Sequence, residues 1–374
     1  MNVRAEYPVR VLCLFTIMNR GGAETMCMNL YRHMEREKIQ FDFLVYYPEK
    51  GIYEDEIKSM GGRVFRIPHP SNLLAHISAA RTFFHEHPEY RIVHNHMQSN
   101  GALICAEAKK AGVPTIIYHS HSGALPILTK DYKLTLRRAR NRLLNHIAIN
   151  NSTFIFACGA AAANTIPADR TVLPLNNAVD LQLFRFSPQI REIMRKQLGC
   201  DDKLVIGHVG RFDSNKNQAF AIDVFEEVIK KEPNAELWLI GDGVQRQQIE
   251  QRVKKSGLED KVRLLGIRED IPRLLQAMDA FLFPSIAEGL PVSCIEAQAA
   301  GLPCIFSAGF DPTTVITDHC RILSLKESPE RWADTVLRMK NKERKDTFSE
   351  LKSAGYDIEE TSRQMEEFYL SREL

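Results

Sequence analysis

A chain of 374 residues exceeds what one ordinary core supports, so two domains are the starting expectation. With 44% hydrophobic and 26% charged residues it has the make-up of an ordinary soluble globular protein, and a net charge of +2 points to no polyanion partner, nucleic acid included. The eight cysteines at positions 13, 27, 105, 158, 200, 294, 304 and 320 form no CxxC pair, which argues against a zinc framework or disulfide scaffold and suits a reducing cytoplasm. No apolar run approaches the roughly 20 residues of a membrane span, and the first residues are too short an apolar run for a signal peptide.

In chain order, the pattern predicts strands over Val9–Phe15, Phe41–Tyr46, Arg63–Ile67, Ile92–His94, Pro114–Tyr118 and Phe154–Ala157. A second series covers Leu204–Val209, Leu237–Ile240, Val262–Leu265, Ala280–Phe283 and Cys304–Phe306. Helical patterns lie between them; Phe220, Val224 and Val228, four apart, mark one apolar helix face. Alternating strands and helices imply parallel sheets with crossover helices, and two such series imply two Rossmann-like α/β domains. The seam is expected in the polar turn Asn176–Asp180 and the weakly periodic stretch to Pro188. That places one domain at 1–180, completed by a charged amphipathic helix at 356–374, and the other at 181–355.

The first chemical motif follows the first strand. Gly21 and Gly22 open a helix without the GxGxxG spacing of dinucleotide folds, and they permit either close approach of a ligand or a plain tight turn. Two histidine pairs, His94 with His96 and His119 with His121, sit at strand ends with no third metal ligand nearby in sequence, so a hydrogen-bonding role for His121 is favoured over metal binding. The segment Lys130–His146 carries six Lys/Arg against one acidic residue, interleaved with Leu134, Leu136, Leu143 and Leu144; it reads as a solvated helix face or as a surface for an anionic membrane.

In the second half, Leu204–Val209 runs into Gly210, Arg211 and Lys216, a glycine turn with two cations before a helix. Charge-assisted hydrogen bonds of about 1.5–3 kcal/mol each from such a pair could hold a diphosphate. Gly241-Asp242-Gly243 is a weaker signal, consistent with a strand-to-helix turn. The stretch Asp279–Gly301 then places Glu288 and Glu296 around a helix start at Pro291, at the carboxyl end of a strand. Helix N-termini favour phosphate and carboxylates accept hydrogen bonds from hydroxyls, so a nucleotide sugar fits the combination. The simplest divalent-metal anchor, a DxD motif, does not occur.

Taken in order, the Gly21-Gly22-Ala23-Glu24 turn, Gly210-Arg211-Phe212 with Lys216-Asn217, Gly241-Asp242-Gly243, and Glu288-Gly289-Leu290-Pro291 with Glu296 resemble the retaining glycosyltransferases of family 4, most of all their bacterial capsular and exopolysaccharide branch. The resemblance implies a GT-B fold, two Rossmann-like domains facing across a cleft, and metal-independent transfer from a nucleotide diphosphate sugar, a UDP-sugar in first place, to a saccharide or lipid-linked saccharide. It implies a cytoplasmic enzyme, or one peripheral on the inner face of the membrane, without a cofactor. By position it assigns Arg211 and Lys216 to the donor diphosphate, Glu296 to the ribose hydroxyls and Glu288 to the sugar hydroxyls. The backbone amides of Leu290 and Val292 would face the phosphates, and Ile267 and Arg268 would bracket the base. Gly21, Gly22 and Gly210 would allow close approach, and His121, rather than His119, would sit beside the sugar. A nucleotide-sugar epimerase of the same fold and a non-catalytic nucleotide-sugar-binding subunit are the rival readings.

Overall fold

The computed structural model describes residues 8–121, 132–288, 290–309, 312–340 and 342–373. The chain divides into two compact units, Met1–Ala178 with Ile358–Leu374, and Val179–Asp357.

In unit 1, strands β1 (Val9–Leu14), β2 (Ile39–Val45), β3 (Val64–Arg66), β4 (Ile92–Asn95), β5 (Thr115–Ser120), β6 (Phe154–Ala157) and β7 (Leu173–Pro174) form one parallel sheet in the order β3-β2-β1-β4-β5-β6-β7. Side chains alternate across it. From β1, Val11 and Cys13 face a core shared with helix Gly22–His33, while Leu12 and Leu14 face a second core on the opposite side. Both faces are therefore covered, as a parallel sheet requires. Helix Ile358–Glu373 returns to this unit and buries Ile358, Met365 and Tyr369 in the first core, with the Tyr369 ring edge-on to Phe41 at 5.8 Å.

One charge stands inside β2. The Asp42 carboxylate is fully buried, and its two oxygens accept from Arg10 Nε and Nη2, Tyr90 Oη and the Arg63 amide, each at 2.6 Å. Four donors on one carboxylate explain how an acid survives in a fully buried strand.

In unit 2, strands β8 (Leu204–Val209), β9 (Ala235–Ile240), β10 (Val262–Gly266), β11 (Ala280–Phe283), β12 (Cys304–Ser307) and β13 (Cys320–Leu323) form a parallel sheet in the order β10-β9-β8-β11-β12-β13. Helix Gln218–Lys231 buries Val224, Phe225 and Val228 in its core, and Phe220 meets Trp332 edge-on at 5.4 Å.

Three details differ from the sequence pattern. The short edge strands β7 and β13 add a strand to each expected series; Leu173-Pro174 is too short, and Arg321 too polar, to read as a strand alone. The stretch before Pro188 is not irregular throughout, since Asp180 caps a single turn at Leu181–Phe184 through the Leu183 amide. Pro188 itself starts a helix, Pro188–Leu198, capped by Ser187 and closed by left-handed Gly199. A Ser-Pro pair is a helix start signal as much as a loop signal.

Asp42→Ala strands the Arg10 guanidinium and the Tyr90 hydroxyl. It is expected to lower the unfolding free energy by about 3–5 kcal/mol, read as a lower urea midpoint at unchanged slope. A loss below about 1 kcal/mol would show that water replaces the carboxylate.

Candidate functional site

In each sheet the chain reverses its direction of travel at one point. In unit 2, β8 leads outward through β9 to β10, and the chain then returns to β11, the other neighbour of β8, before continuing through β12 to β13. The carboxyl ends of β8 and β11 thus flank the switch point where open α/β sheets bind ligands.

The loop after β8 is tied by Asp213. Its Oδ1 accepts from the amides of Asn215 (3.0 Å) and Lys216 (3.1 Å), and its Oδ2 holds Arg211 Nε at 2.8 Å. Burial alone would raise the Asp213 carboxyl; Arg211 and the two amides outweigh it and keep the acid below its ordinary range. Asn217 adopts the left-handed conformation (φ 56°) that asparagine tolerates, starting helix Gln218–Lys231 and donating from Nδ2 to Pro284 O at 3.2 Å.

Asn215 joins this loop to the one after β11. Its Nδ2 donates to Ala287 O (2.6 Å) and Glu288 Oε1 (2.8 Å), its Oδ1 accepts from the Ala287 amide at 3.1 Å, and its carbonyl accepts from the Ile286 amide at 2.7 Å. Ser285 Oγ lies 2.6 Å from the same Oε1, and Lys216 Nζ lies 2.7 Å from it and 4.9 Å from the Phe283 ring centre. One oxygen of Glu288 therefore has three partners. Among the described residues no hydrogen bond reaches the other, Oε2.

Glu296 projects from helix Val292–Ala299, half-buried, with no hydrogen bond or ion pair to its carboxylate among the described residues. Burial pushes it up to about 7. Leu290 and Val292 are buried at the start of that helix, which Pro291 begins without a side-chain cap, so the first helical amide, Val292, has no intrahelical acceptor. Arg211 is exposed beside Asp213. Ile267, also exposed, and Arg268, paired with Asp270 at 2.7 and 2.8 Å, follow β10, two strands away from β8.

The glycines separate by what a side chain would meet. Gly241 has φ +137° and a Cβ there would lie 2.1 Å from Gly210 O; one at Gly243 would lie 2.4 Å from Phe212 O. Gly241-Asp242-Gly243 thus braces the Gly210-Arg211-Phe212 turn, and the Phe212 amide donates to Asp242 O at 2.9 Å. At Gly210 the nearest atoms, His208 Nε2 and Lys216 Cδ, lie at 3.3 Å.

In unit 1 the switch point falls between β1 and β4. Gly21 caps helix Gly22–His33, and a Cβ on it would meet the Glu24 carboxylate at 2.2 Å, whereas one on Gly22 would meet nothing within 4 Å. Past β4 and β5 the two histidine pairs come together. His94 Nδ1 lies 2.7 Å from Tyr369 Oη, His94 Nε2 lies 3.3 Å from His119 Nδ1, and His96 Nδ1 lies 2.9 Å from His121 Nε2. Burial lowers all four, His94 to about 3 and His121 to about 4, so they stay neutral near pH 7. His119 is fully buried and His121 partly exposed, with Asn177 as a partner.

The expectation that no third ligand accompanies these pairs needs correction. Donor atoms of Cys13, Cys27 and His96 lie within 4.8 Å of one another, as do those of His94, His96 and His119. Of the basic segment, Lys130 lies outside the described residues; Leu136 and Leu143 are exposed on helix Tyr132–Asn151, while Leu144 packs against a small core. Among the described residues no helix is long and apolar enough to cross a membrane.

The pattern of the family described as glycosyl transferases group 1 matches residues 189–356, and that of the glycosyl transferase 4-like domain matches residues 21–175. The chain belongs to glycosyltransferase family 4. It is 36% identical over 372 residues to the glycosyltransferase EpsF of Bacillus subtilis (strain 168), spanning 94% of each chain. It is 26% identical to the capsular polysaccharide biosynthesis glycosyltransferase CapH of Staphylococcus aureus, spanning 98% of this chain and all of that one (100%). The crystal structure of Anabaena Alr3699/HepE in complex with UDP-glucose superposes with a TM-score of 0.78 at 20% identity, covering 97% of this chain and 99% of that one, which shows the GT-B fold.

The sequence of this glycosyltransferase singles out Arg211, Lys216, Glu288 and Glu296 but not Asp213, which ties Arg211 and the Lys216 amide, nor Asn215 and Ser285, which hold Glu288. For Asp213 and Asn215 the signal was present as an unbroken polar run, Asp213 to Asn217, that starts two residues after Arg211 and contains Lys216.

Gly241→Ala forces a Cβ into the Gly210 carbonyl at an unfavourable φ and is expected to cost about 2 kcal/mol or more. Gly22→Ala is expected to stay within about 0.5 kcal/mol of the wild type. Thermal melts of both variants check the contrast, and equal losses would refute it.

Proposed function

We propose that this glycosyltransferase moves a hexosyl group, with retention of configuration, from a UDP-sugar to a saccharide or lipid-linked saccharide in the cytoplasm, in the synthesis of a surface polysaccharide. The observation that carries the reading is Glu288 at the switch point. One oxygen is fixed by Lys216, Asn215 and Ser285, and the other is left for a ligand hydroxyl. UDP comes from likeness to a fold neighbour solved with UDP-glucose, and the polysaccharide from likeness to CapH. The compartment fits eight cysteines that are all free and buried.

In this reading the Lys216 ammonium, with three donors, keeps Glu288 and still reaches the donor diphosphate. Arg211 and the positive end of helix Val292–Ala299 share the charge that collects on the leaving diphosphate, so the protein supplies electrostatic stabilisation without needing a metal there. The transition state is oxocarbenium-like, and the fixed Glu288 carboxylate orients the sugar ring through its hydroxyls. Glu296, unpaired among the described residues, receives the two ribose hydroxyls. Gly22 leaves room for a ligand to approach the backbone, and the neutral His121 offers a hydrogen bond to the sugar.

Lys216→Ala is expected to lower kcat by about 10²–10³-fold in a protein that still folds, measured as transfer of labelled sugar from UDP-sugars to a lipid-linked acceptor. Normal turnover would remove Lys216 from the site. An α-linked product from the α-configured donor, seen by NMR, is the expected stereochemistry; a β-linked one overturns retention.

The raised Glu296 carboxyl gives a pH dependence of defined sign. It protonates as pH falls through about 7, and a protonated acid accepts from the ribose less well. The donor KM should therefore rise up to roughly tenfold between pH 8 and pH 6, following the ionised fraction. Glu296→Gln should raise KM at pH 8 and flatten the profile; an unflattened profile would assign the titration elsewhere.

A further inference from the structure

The buried face of unit 1 carries a cluster of which the proposed transfer chemistry uses only His121. Residues two apart on a strand share a face, and β4 and β5 are parallel neighbours with His94 opposite Ile117. His94 and His96 therefore lie on the same face as His119 and His121. Cys13 stands opposite His94 in the β1–β4 register, so it points the same way, and Cys27 reaches this face from helix Gly22–His33. All of these except His121 are buried.

We propose that this face is a metal site, holding one divalent ion of the zinc class between the Cys13 and Cys27 thiolates and His96. Donors within 4.8 Å of one another are close to a coordination shell. Tetrahedral zinc, with bonds of about 2.3 Å to sulfur and 2.0–2.1 Å to nitrogen, sets its ligand atoms roughly 3.3–3.8 Å apart. The residues need to close in by about an ångström.

An unsatisfied group points to a missing partner. His96 Nε2 is buried without a hydrogen bond. Such atoms are rare in folded proteins. An ion between His96 and the sulfurs gives this one a partner. The other His96 nitrogen, Nδ1, lies 2.9 Å from His121 Nε2, which orients the ring as outer partners of metal-bound imidazoles do.

Charge chooses between the two possible ligand sets. Two thiolates neutralise a divalent ion, so binding at Cys13, Cys27 and His96 buries no net charge. The set His94, His96 and His119 would bury two uncompensated positive charges in the interior, which is costly. Sulfur ligands also select a soft ion over magnesium. The site pins β1, the first helix and β4 together and is separate from the diphosphate chemistry of unit 2.

The full-length protein, stripped with a chelator under reducing conditions and then given Zn²⁺ or Co²⁺ alone, tests the proposal. The expected results are one zinc retained per chain through gel filtration, a higher urea midpoint with zinc, and a Co²⁺ form with intense near-ultraviolet thiolate charge-transfer absorption. Cys27→Ser should lose most of that absorption and bind Co²⁺ at least about tenfold more weakly. Absence of stoichiometric metal overturns the site. So does a Co²⁺ spectrum without thiolate bands, which would mean imidazole-only or adventitious binding. Because the wild-type spectrum is itself decisive, a Cys27→Ser variant that fails to fold does not remove the test. Loss of metal with transfer activity intact would leave the proposed function standing.

Discussion

A parallel sheet with helices on both faces has almost nowhere to put polar chemistry. Its strands are covered on each side, so a polar group along them is costly unless it is matched, as Asp42 is by four donors. Only the strand ends are open to water and ligands, and only at the switch point do two neighbouring carboxyl ends diverge into loops that leave a crevice. In unit 2 that point lies between β8 and β11. In the proposed reading Lys216 and Glu288 hang from these two strand ends.

The Lys216–Glu288 pair shows what is done with that place. Both side chains are mostly buried, 18% and 13% exposed. A buried ion pair is weak evidence of stability, since desolvation can cancel its attraction. Its value here is positional. Asn215 bonds to backbone and side chain on the β11 loop while its own loop is tied by Asp213, so a change in either loop displaces the carboxylate. The residues around Glu288 hold one oxygen and one direction, and the second oxygen inherits that direction. Glu296 is the opposite case, a carboxylate with burial but no partner among the described residues, whose raised protonation range is the physical trace of that burial.

Much of this was legible from residue order. Apolar runs ending in glycine or proline located β8 and β11, and cations and carboxylates at those ends located the chemistry. What order could not show is register. The two histidine pairs, 25 residues apart from His94 to His119, look like separate features until β4 and β5 are known to be neighbours; only then does the alternation place all four rings on one face, beside Cys13. Asn215 and Ser285 were hidden differently. Neither carries charge, and an asparagine in a polar loop looks like a solvated turn until its partner loop is known. The edge strands β7 and β13 were missed for a third reason, because short edge strands carry little apolar signal.

Glycines show how far such reading can be pushed. Gly22 and Gly241 look equivalent in sequence, each in a glycine-rich turn after a strand. A side chain at Gly241 would strike the Gly210 carbonyl, so the fold itself demands that glycine. A side chain at Gly22 would strike nothing among the described residues, and its φ is not one that excludes other residues. Folding therefore places no demand on Gly22. If position 22 must be glycine, the demand comes from something the protein binds. A Cβ at the first residue of a helix, after β1 and beside the switch point of unit 1, would occupy space that an incoming group needs. The same motif thus divides into a glycine the chain requires and one that only a ligand can require.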